Sequence, residues 1–244
     1  MRIIHFSDFH LRADHLERAE SIIKRLKETL RTISEERKID LIIFSGDMID
    51  KAGKDFSDPK IHCAFEKFKE MVILPLTSEV GLAPNRFVYT MGNHEIDRSA
   101  VGGDDKDQEI TDRLKNHEDV DWYIHNDGKD QPRIAEYNRL RDTYWQEYKE
   151  DATIKLTPFQ YGIKFNIDGK VVGVNCLNTA WRCYKSETDE HKIVLGKSQI
   201  TDSRDFFEDC HIRLAVGHHH PNMMNPFETN TLKDLIARNY DAFF

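Results

Sequence analysis

The chain has 244 residues, 39% of them hydrophobic, and a formal net charge of −8. That length can bury a sizeable core, and the regular apolar runs exclude a disordered chain. The negative balance excludes a surface that attracts nucleic acid as a whole, although bound cations would reverse the potential locally.

Residues 2–6 (Arg-Ile-Ile-His-Phe) read as a buried strand. Residues 14–37 carry Leu16, Ala19, Ile22, Ile23, Leu26, Leu30 and Ile33, the spacing of an amphipathic helix. A second strand follows at 40–44, so this strand-helix-strand unit implies parallel neighbours and a right-handed crossover. Residues 60–75 repeat the helical pattern through Ala64, Phe65, Phe68 and Met71, and 86–90 reads as the next strand. The polar stretch 98–132, with Gly102-Gly103 near its start, reads as an insertion or cap over the site edge, or as a solvated excursion. A helix is expected over 133–150, with Trp122 and Trp145 pinning the region to the core. Residues 160–167 and 170–177 read as a hairpin about Asp168-Gly169. A helix over 197–210, a buried strand over 212–216 and a helix over 229–238 come next. Tyr240 to Phe244 reads as the opening of one more strand. Two runs of strands with helices between them predict a four-layer α/β/β/α sandwich with mixed sheets.

No linker rich in Pro, Gly or Ser interrupts the chain, so a single domain over 1–244 is expected. Cys63, Cys176, Cys183 and Cys210 stand far apart without CxxC spacing, which predicts reduced, mostly buried thiols. No charged-then-apolar leader opens the chain, and no run approaches the roughly 20 apolar residues of a membrane span. A cytoplasmic protein with no membrane partner is expected.

Four small motifs each follow a strand: Asp8-Phe9-His10, Gly46-Asp47, Gly92-Asn93-His94-Glu95 and His218-His219-His220. Carboxylate, imidazole and amide groups at adjacent strand ends converge on one sheet edge. Such oxygen and nitrogen donors suit divalent manganese, iron or zinc. Asp8 and His10 alternate across a strand end, so both can face one cation. Asp47 has two oxygens and can bridge two cations. Asn93 offers a neutral amide oxygen to the second cation, His94 is expected to face elsewhere, and His218 closes the second site. Counting from the strand makes His218 the ligand, whereas counting back from Pro221 makes it His219. His218 is preferred, because strand ends fix where ligands point. Asp50 and Glu95 either orient a ligand imidazole or are ordinary turn carboxylates. Asn178 is expected to cap a turn rather than touch substrate. Arg12 and Arg98 lie just past motifs, where a guanidinium can bind phosphate oxygens, although an ordinary exposed Arg beside a loop is the preferred reading.

In order, Asp8-Phe9-His10, Gly46-Asp47-Met48-Ile49-Asp50, Gly92-Asn93-His94-Glu95 and His218-His219-His220-Pro221 resemble the DxH, GDxxD, GNHE and HHxP elements of the calcineurin-like metallophosphoesterase superfamily. The similarity spans residues 2–221. It implies hydrolysis of a phosphomonoester or phosphodiester by two divalent ions, manganese favoured. Asp8, His10 and Asp47 would hold one ion; Asp47, Asn93 and a histidine of the triplet would hold the other. His94 would contact the scissile phosphate and assist the leaving group. Nucleotides, nucleic-acid ends, phosphoproteins and small phosphates all stay open as substrates. The rival reading is a non-catalytic module that keeps the fold and binds a partner or nucleotide at the metal edge. The resemblance also implies a Gly-His-x-His motif after the strand at 240–244. An excised or truncated chain is therefore expected, with room for a further domain beyond residue 244.

Overall fold

The computed structural model describes residues 1–126, 131–185, 189 and 191–244. Strands β1 (Ile3–Phe6), β2 (Leu41–Phe44) and β3 (Phe87–Tyr89) form a parallel sheet in that order. The buried apolar runs of β2 and β3 are those of strands covered on both faces, whereas β1, expected to be buried, is an edge strand with no buried residue and His5 exposed. Phe6 sits opposite Phe44, and Phe44 opposite Tyr89. The three strands therefore end at one level, and the three loops that follow start side by side.

Helix α1 (Leu16–Glu36) buries Ala19, Ile23 and Leu30. Helix α2 (Lys60–Phe68) runs through a π-helical turn, Lys69–Ile73, into α3 (Leu74–Glu79). Phe68 meets the rings of Phe44 and Phe87 at 5.3 and 6.5 Å, which seats this helical layer on the first sheet.

The second sheet has the order β4 (Ala152–Leu156), β5 (Gln160–Ile167), β6 (Lys170–Leu177), β7 (Ile212–Val216), β8 (Ala242–Phe243). Pairing is antiparallel from β4 to β6 and parallel from β6 to β8. Asp168 and Gly169 both have left-handed φ, 51° and 76°, as the expected two-residue hairpin turn requires. The sheets are tied where they meet. The Tyr161 hydroxyl donates to the Tyr89 carbonyl, and Thr90 Oγ1 donates to the Leu177 carbonyl at 2.8 Å. Phe207, beyond the second sheet, packs over Gly162 and Gly173. Helices, sheet, sheet and helical segments thus stack as the sandwich predicted from the strand pattern.

Three details differ from the sequence reading. Strand β4 was not foreseen; it is an edge strand with no buried residue, so it lacks the apolar alternation that reveals strands. The helix expected over 197–210 is a single turn, α7 (Ser198–Thr201), followed by a 3-10 turn at Asp205–Phe207. Finally, Trp122 is 54% exposed and pins nothing. Its neighbour Tyr123 does, stacked on Trp181 at 5.7 Å. Adjacent helical residues point about 100° apart, so only one of the pair can face in. Trp145 is buried and stacks on Tyr89, as expected.

The stretch 98–132 is largely helical where it is described: α4 (Asp104–Arg113), α5 (His117–His125) and the start of α6 (Pro132–Glu147). Residues 127–130 lie outside the described residues. Helix α4 has no buried residue and is held by polar contacts. Asp107 pairs with Arg182 at 2.9 Å and Arg133 at 3.2 Å, and Asp104 pairs with Lys185 at 2.6 Å.

On α8 (Pro226–Asn239), buried Glu228 accepts hydrogen bonds from the Leu195 and Gly196 amides at 2.7 and 2.9 Å. Burial outweighs those bonds and pushes its carboxyl up from 4.5 to about 7. Between those values the folded chain keeps a proton that the unfolded chain has released, so stability falls as pH rises through the window. Melting temperatures across it should fall more steeply for the wild type than for Glu228→Gln; parallel curves would contradict this.

Candidate metal centre

The loop after β1 runs beside the loop after β2. The Asp8 amide donates to the Gly46 carbonyl at 3.1 Å, and the His10 amide to the Asp47 carbonyl at 3.0 Å. Asp8, His10 and Asp47 all have left-handed φ, at 58°, 48° and 59°. Such backbone costs a non-glycine residue roughly 1–3 kcal/mol and persists where the surroundings over-determine it. Here it aims three potential ligands at one space. Gly46 and Gly92 let the loops touch. A Cβ on Gly46 would lie 2.8 Å from the Gly92 backbone and from His218 Nδ1, and one on Gly92 would lie 2.1 Å from Asp47 Oδ1.

Two groups of potential ligand atoms result, each within a 4.8 Å span: His10, Asp47 and His94 in one, and Asp8, Asp47 and His218 in the other. Asp47 belongs to both. His10 Nε2 lies 3.5 Å from Asp47 Oδ2 and 3.8 Å from Asp8 Oδ1, so the two groups adjoin. Asn93 Oδ1 is 3.0 Å from His218 Nε2, and Asp47 Oδ2 is 3.5 Å from the same nitrogen. All five residues proposed as ligands from sequence are thereby brought together. Asp8 and His10, expected to face one cation, fall into different groups on either side of Asp47.

The donor chemistry fits a cation. His218 Nδ1 lies 2.8 Å from the Ser45 carbonyl, which can only accept, so Nδ1 carries the proton. Nε2 faces Asn93 Oδ1 at 3.0 Å and Asp47 Oδ2 at 3.5 Å. When that ring is neutral, its nitrogen and the two oxygens offer the mixed donor set that a divalent ion takes.

His94 does not face elsewhere. Its ring centroid lies 4.5 Å from that of His10, and its Nδ1 is 2.8 Å from Asp50 Oδ1. That bond leaves Nε2 for the group formed with His10 and Asp47. Asp50 thus orients an imidazole, one of the two readings its position allowed. Glu95 has a different task. Its buried carboxylate accepts the amides of Asp47 at 3.0 Å, Ile49 at 3.1 Å and Gly92 at 2.7 Å. One side chain therefore sews the Asp47 loop to the Asn93 loop. Burial, and then the charge of Asp47, push the Glu95 carboxyl up to about 8 against those three donors. Nothing in the motif itself signals this role or the left-handed backbone.

The histidine triplet divides its work. His218 enters the centre. His219 is buried, with Nδ1 3.2 Å from the Thr179 hydroxyl and Nε2 3.9 Å from Cys183 Sγ. Burial, and then His218, lower its pKa to about 3, so it stays neutral. His220 accepts the Asn222 amide and caps the turn at Pro221–Met223. Asn178 caps a turn too, accepting the Ala180 amide at 3.1 Å. Arg12 is forked onto Asp14 at 2.7 and 2.9 Å, which occupies its best phosphate-binding face. Arg98 opens the 3-10 turn Arg98–Val101, and its charge reaches Cys183 and Asp189.

Among the described residues no helix is long and apolar enough to cross a membrane. No curated protein matches the chain in sequence. The family model of the calcineurin-like phosphoesterases matches residues 1–242. With potential ligand residues at strand ends gathered about Asp47 and the match running through all four motifs, the chain belongs to the calcineurin-like phosphoesterase family.

Proposed function

We propose that this chain hydrolyses a phosphomonoester or phosphodiester at a dinuclear centre held by Asp8, His10, Asp47, Asn93 and His218, with manganese the favoured ion. The observation that carries the reading is Asp47, whose carboxylate belongs to both ligand groups. Divalent cations supply Lewis acidity and charge neutralisation to a phosphoryl group. The chain supplies the rest. His94, braced at Nδ1 by Asp50, is positioned to hold a proton for the leaving oxygen. Glu95 keeps the Asp47 and Asn93 loops in register, so the ligand set is preorganised. Ser7 donates to Asp8 and fixes that carboxylate's direction. The four free thiols, three of them buried, support the cytoplasmic expectation.

The test is turnover of bis-p-nitrophenyl phosphate with manganese, together with metal analysis. Two ions per chain, activity abolished by a chelator and restored by manganese, is the expected result. Two bound ions with no turnover of any phosphate ester would leave a binding module instead.

A further inference from the structure

A cavity of about 290 Å³ opens between the end of α4 and the start of α8. Thr111 and Lys115 line it from the cap, and Arg182 and Lys192 from the segment beneath. None of the residues proposed as metal ligands is on its walls. Helix α4 itself buries no residue, so polar contacts at this seam decide how firmly it sits.

The charges at this seam do not balance. Arg133 and Arg182 are 2% and 4% exposed, and both donate to the same oxygen, Asp107 Oδ1, at 3.2 and 2.9 Å. The other bonds of Arg182 go to neutral acceptors, the Asp107 carbonyl and Thr111 Oγ1. Among the described residues no second carboxylate lies within 4.0 Å of either guanidinium. Two buried cations therefore share one carboxylate, and a buried charge without a partner is costly. Burial, and then the charge of Arg182, lower the Arg133 pKa, and Asp107 offsets only part of this. At the rim, Lys115 and Lys192 are exposed, and among the described residues neither has a carboxylate within 4.0 Å. The acid on the wall, Asp112, is exposed and already accepts from the Gln108 side chain at 2.9 Å. A chain of net charge −8 thus turns three cations into one small cavity.

We propose that this cavity binds a phosphoryl dianion, as free phosphate or as the end of a small phosphate ester, and that the bound anion clamps α4 to the segment beneath it. The charge calls for a dianion, since the shared Asp107 leaves one guanidinium uncompensated and the two lysines add to it. Arg182 keeps N–H donors beyond its three bonds, and a guanidinium suits phosphate oxygens. A tetrahedral group accepts from several directions, so it can meet Arg182, the Thr111 hydroxyl and both ammonium groups at once. Leu114 and Phe227 make the remaining wall apolar, where the organic part of an ester would lie. The proposal stands on the charge of this cavity and is independent of the phosphoesterase reading above.

The experiment is calorimetric titration with inorganic phosphate and with glycerol 2-phosphate, at constant ionic strength in chloride. Chelator-treated protein is used so that no cation at the metal centre takes up phosphate, and manganese-loaded protein is titrated with phosphate beside it. A saturable event that survives the chelator is expected, and the tighter of the two probes names the source of the phosphoryl group. Lys192→Ala and Lys115→Ala should each weaken that event roughly 10-fold, the scale of one charge-assisted contact. Both lysines are exposed, so neither change threatens the fold, and turnover of bis-p-nitrophenyl phosphate should be unaltered. Bound phosphate should also slow amide hydrogen exchange over residues 104–115, because the anion ties Thr111 and Lys115 to Arg182 and Lys192. No saturable binding after chelation overturns the site, as does binding that both lysine variants leave unchanged. Exchange over 104–115 that stays the same at saturating phosphate overturns the clamp. A failed phosphoesterase reading would appear separately, as absent turnover with this binding intact.

Discussion

Asp47→Ala should empty the metal centre, lowering metal content to near zero and turnover by at least ~10³-fold, the scale of losing a group that stabilises transition-state charge. Asn93→Ala should lose only part of the metal and less of the rate. The difference follows from geometry and charge. Asp47 Oδ2 faces His10 Nε2 and His218 Nε2, each at 3.5 Å, so one carboxylate serves both groups. Asn93 Oδ1 pairs with His218 Nε2 at 3.0 Å, and it carries no charge. Asp47 Oδ1 also accepts the His94 amide at 3.0 Å, so its loss loosens the loop that carries Asn93 and His94. Asp47→Asn separates the two effects, since an amide oxygen can keep that bond while removing the charge. Its metal content should fall well below the wild type. Metal analysis of the three purified variants decides the matter, and equal losses in Asp47→Ala and Asn93→Ala would refute the bridging role.

Where a motif followed a buried parallel strand, the sequence was enough to place it. Residues 41–44 and 87–89 are apolar throughout because both faces of the sheet are covered, and that run is visible without a structure. The register Phe6, Phe44, Tyr89 then brings Asp8, Asp47 and Asn93 to one edge. The hairpin at Asp168-Gly169 was legible for a local reason, since those residues tolerate left-handed φ. What stayed hidden depends on contacts far apart in sequence. Helix α4 buries nothing, so no apolar period announces it; Arg133 and Arg182, 26 and 75 residues from Asp107, hold it instead. The side-chain direction of His94 is set by Asp50, 44 residues away. Neighbouring Asn93 in the sequence says nothing about where that ring points. Likewise the different directions of His218 and His219 are set by the Ser45 carbonyl on one side and by Thr179 holding His219 on the other.

His94→Ala is expected to keep both metal ions and to lose turnover by roughly 10²–10⁴-fold, the range for a lost acid–base group. The proposed ligands are Asp47 and the four residues around it, Asp8, His10, Asn93 and His218, without His94, which is why the metal should stay. The ring is held differently from theirs: its Nδ1 is committed to Asp50, a buried carboxylate that also sits 3.9 Å from Arg12. An imidazole braced in this way keeps a fixed orientation and gains basicity at its other nitrogen. Both properties suit a group that delivers a proton to a leaving oxygen. Asp50→Asn, which keeps the shape of the brace and removes its charge, should cost less, about 10–100-fold, as partners behind a working imidazole do. Substrates with better leaving groups need less protonation, so the His94→Ala penalty should shrink as the leaving-group pKa falls, whereas a purely structural defect would hit all esters equally. Metal analysis adds the opposing outcome. His94 stands within ligand distance of His10 and Asp47. Loss of one ion per chain in His94→Ala, with a penalty independent of the leaving group, would make His94 a ligand of that pair and remove it from proton transfer.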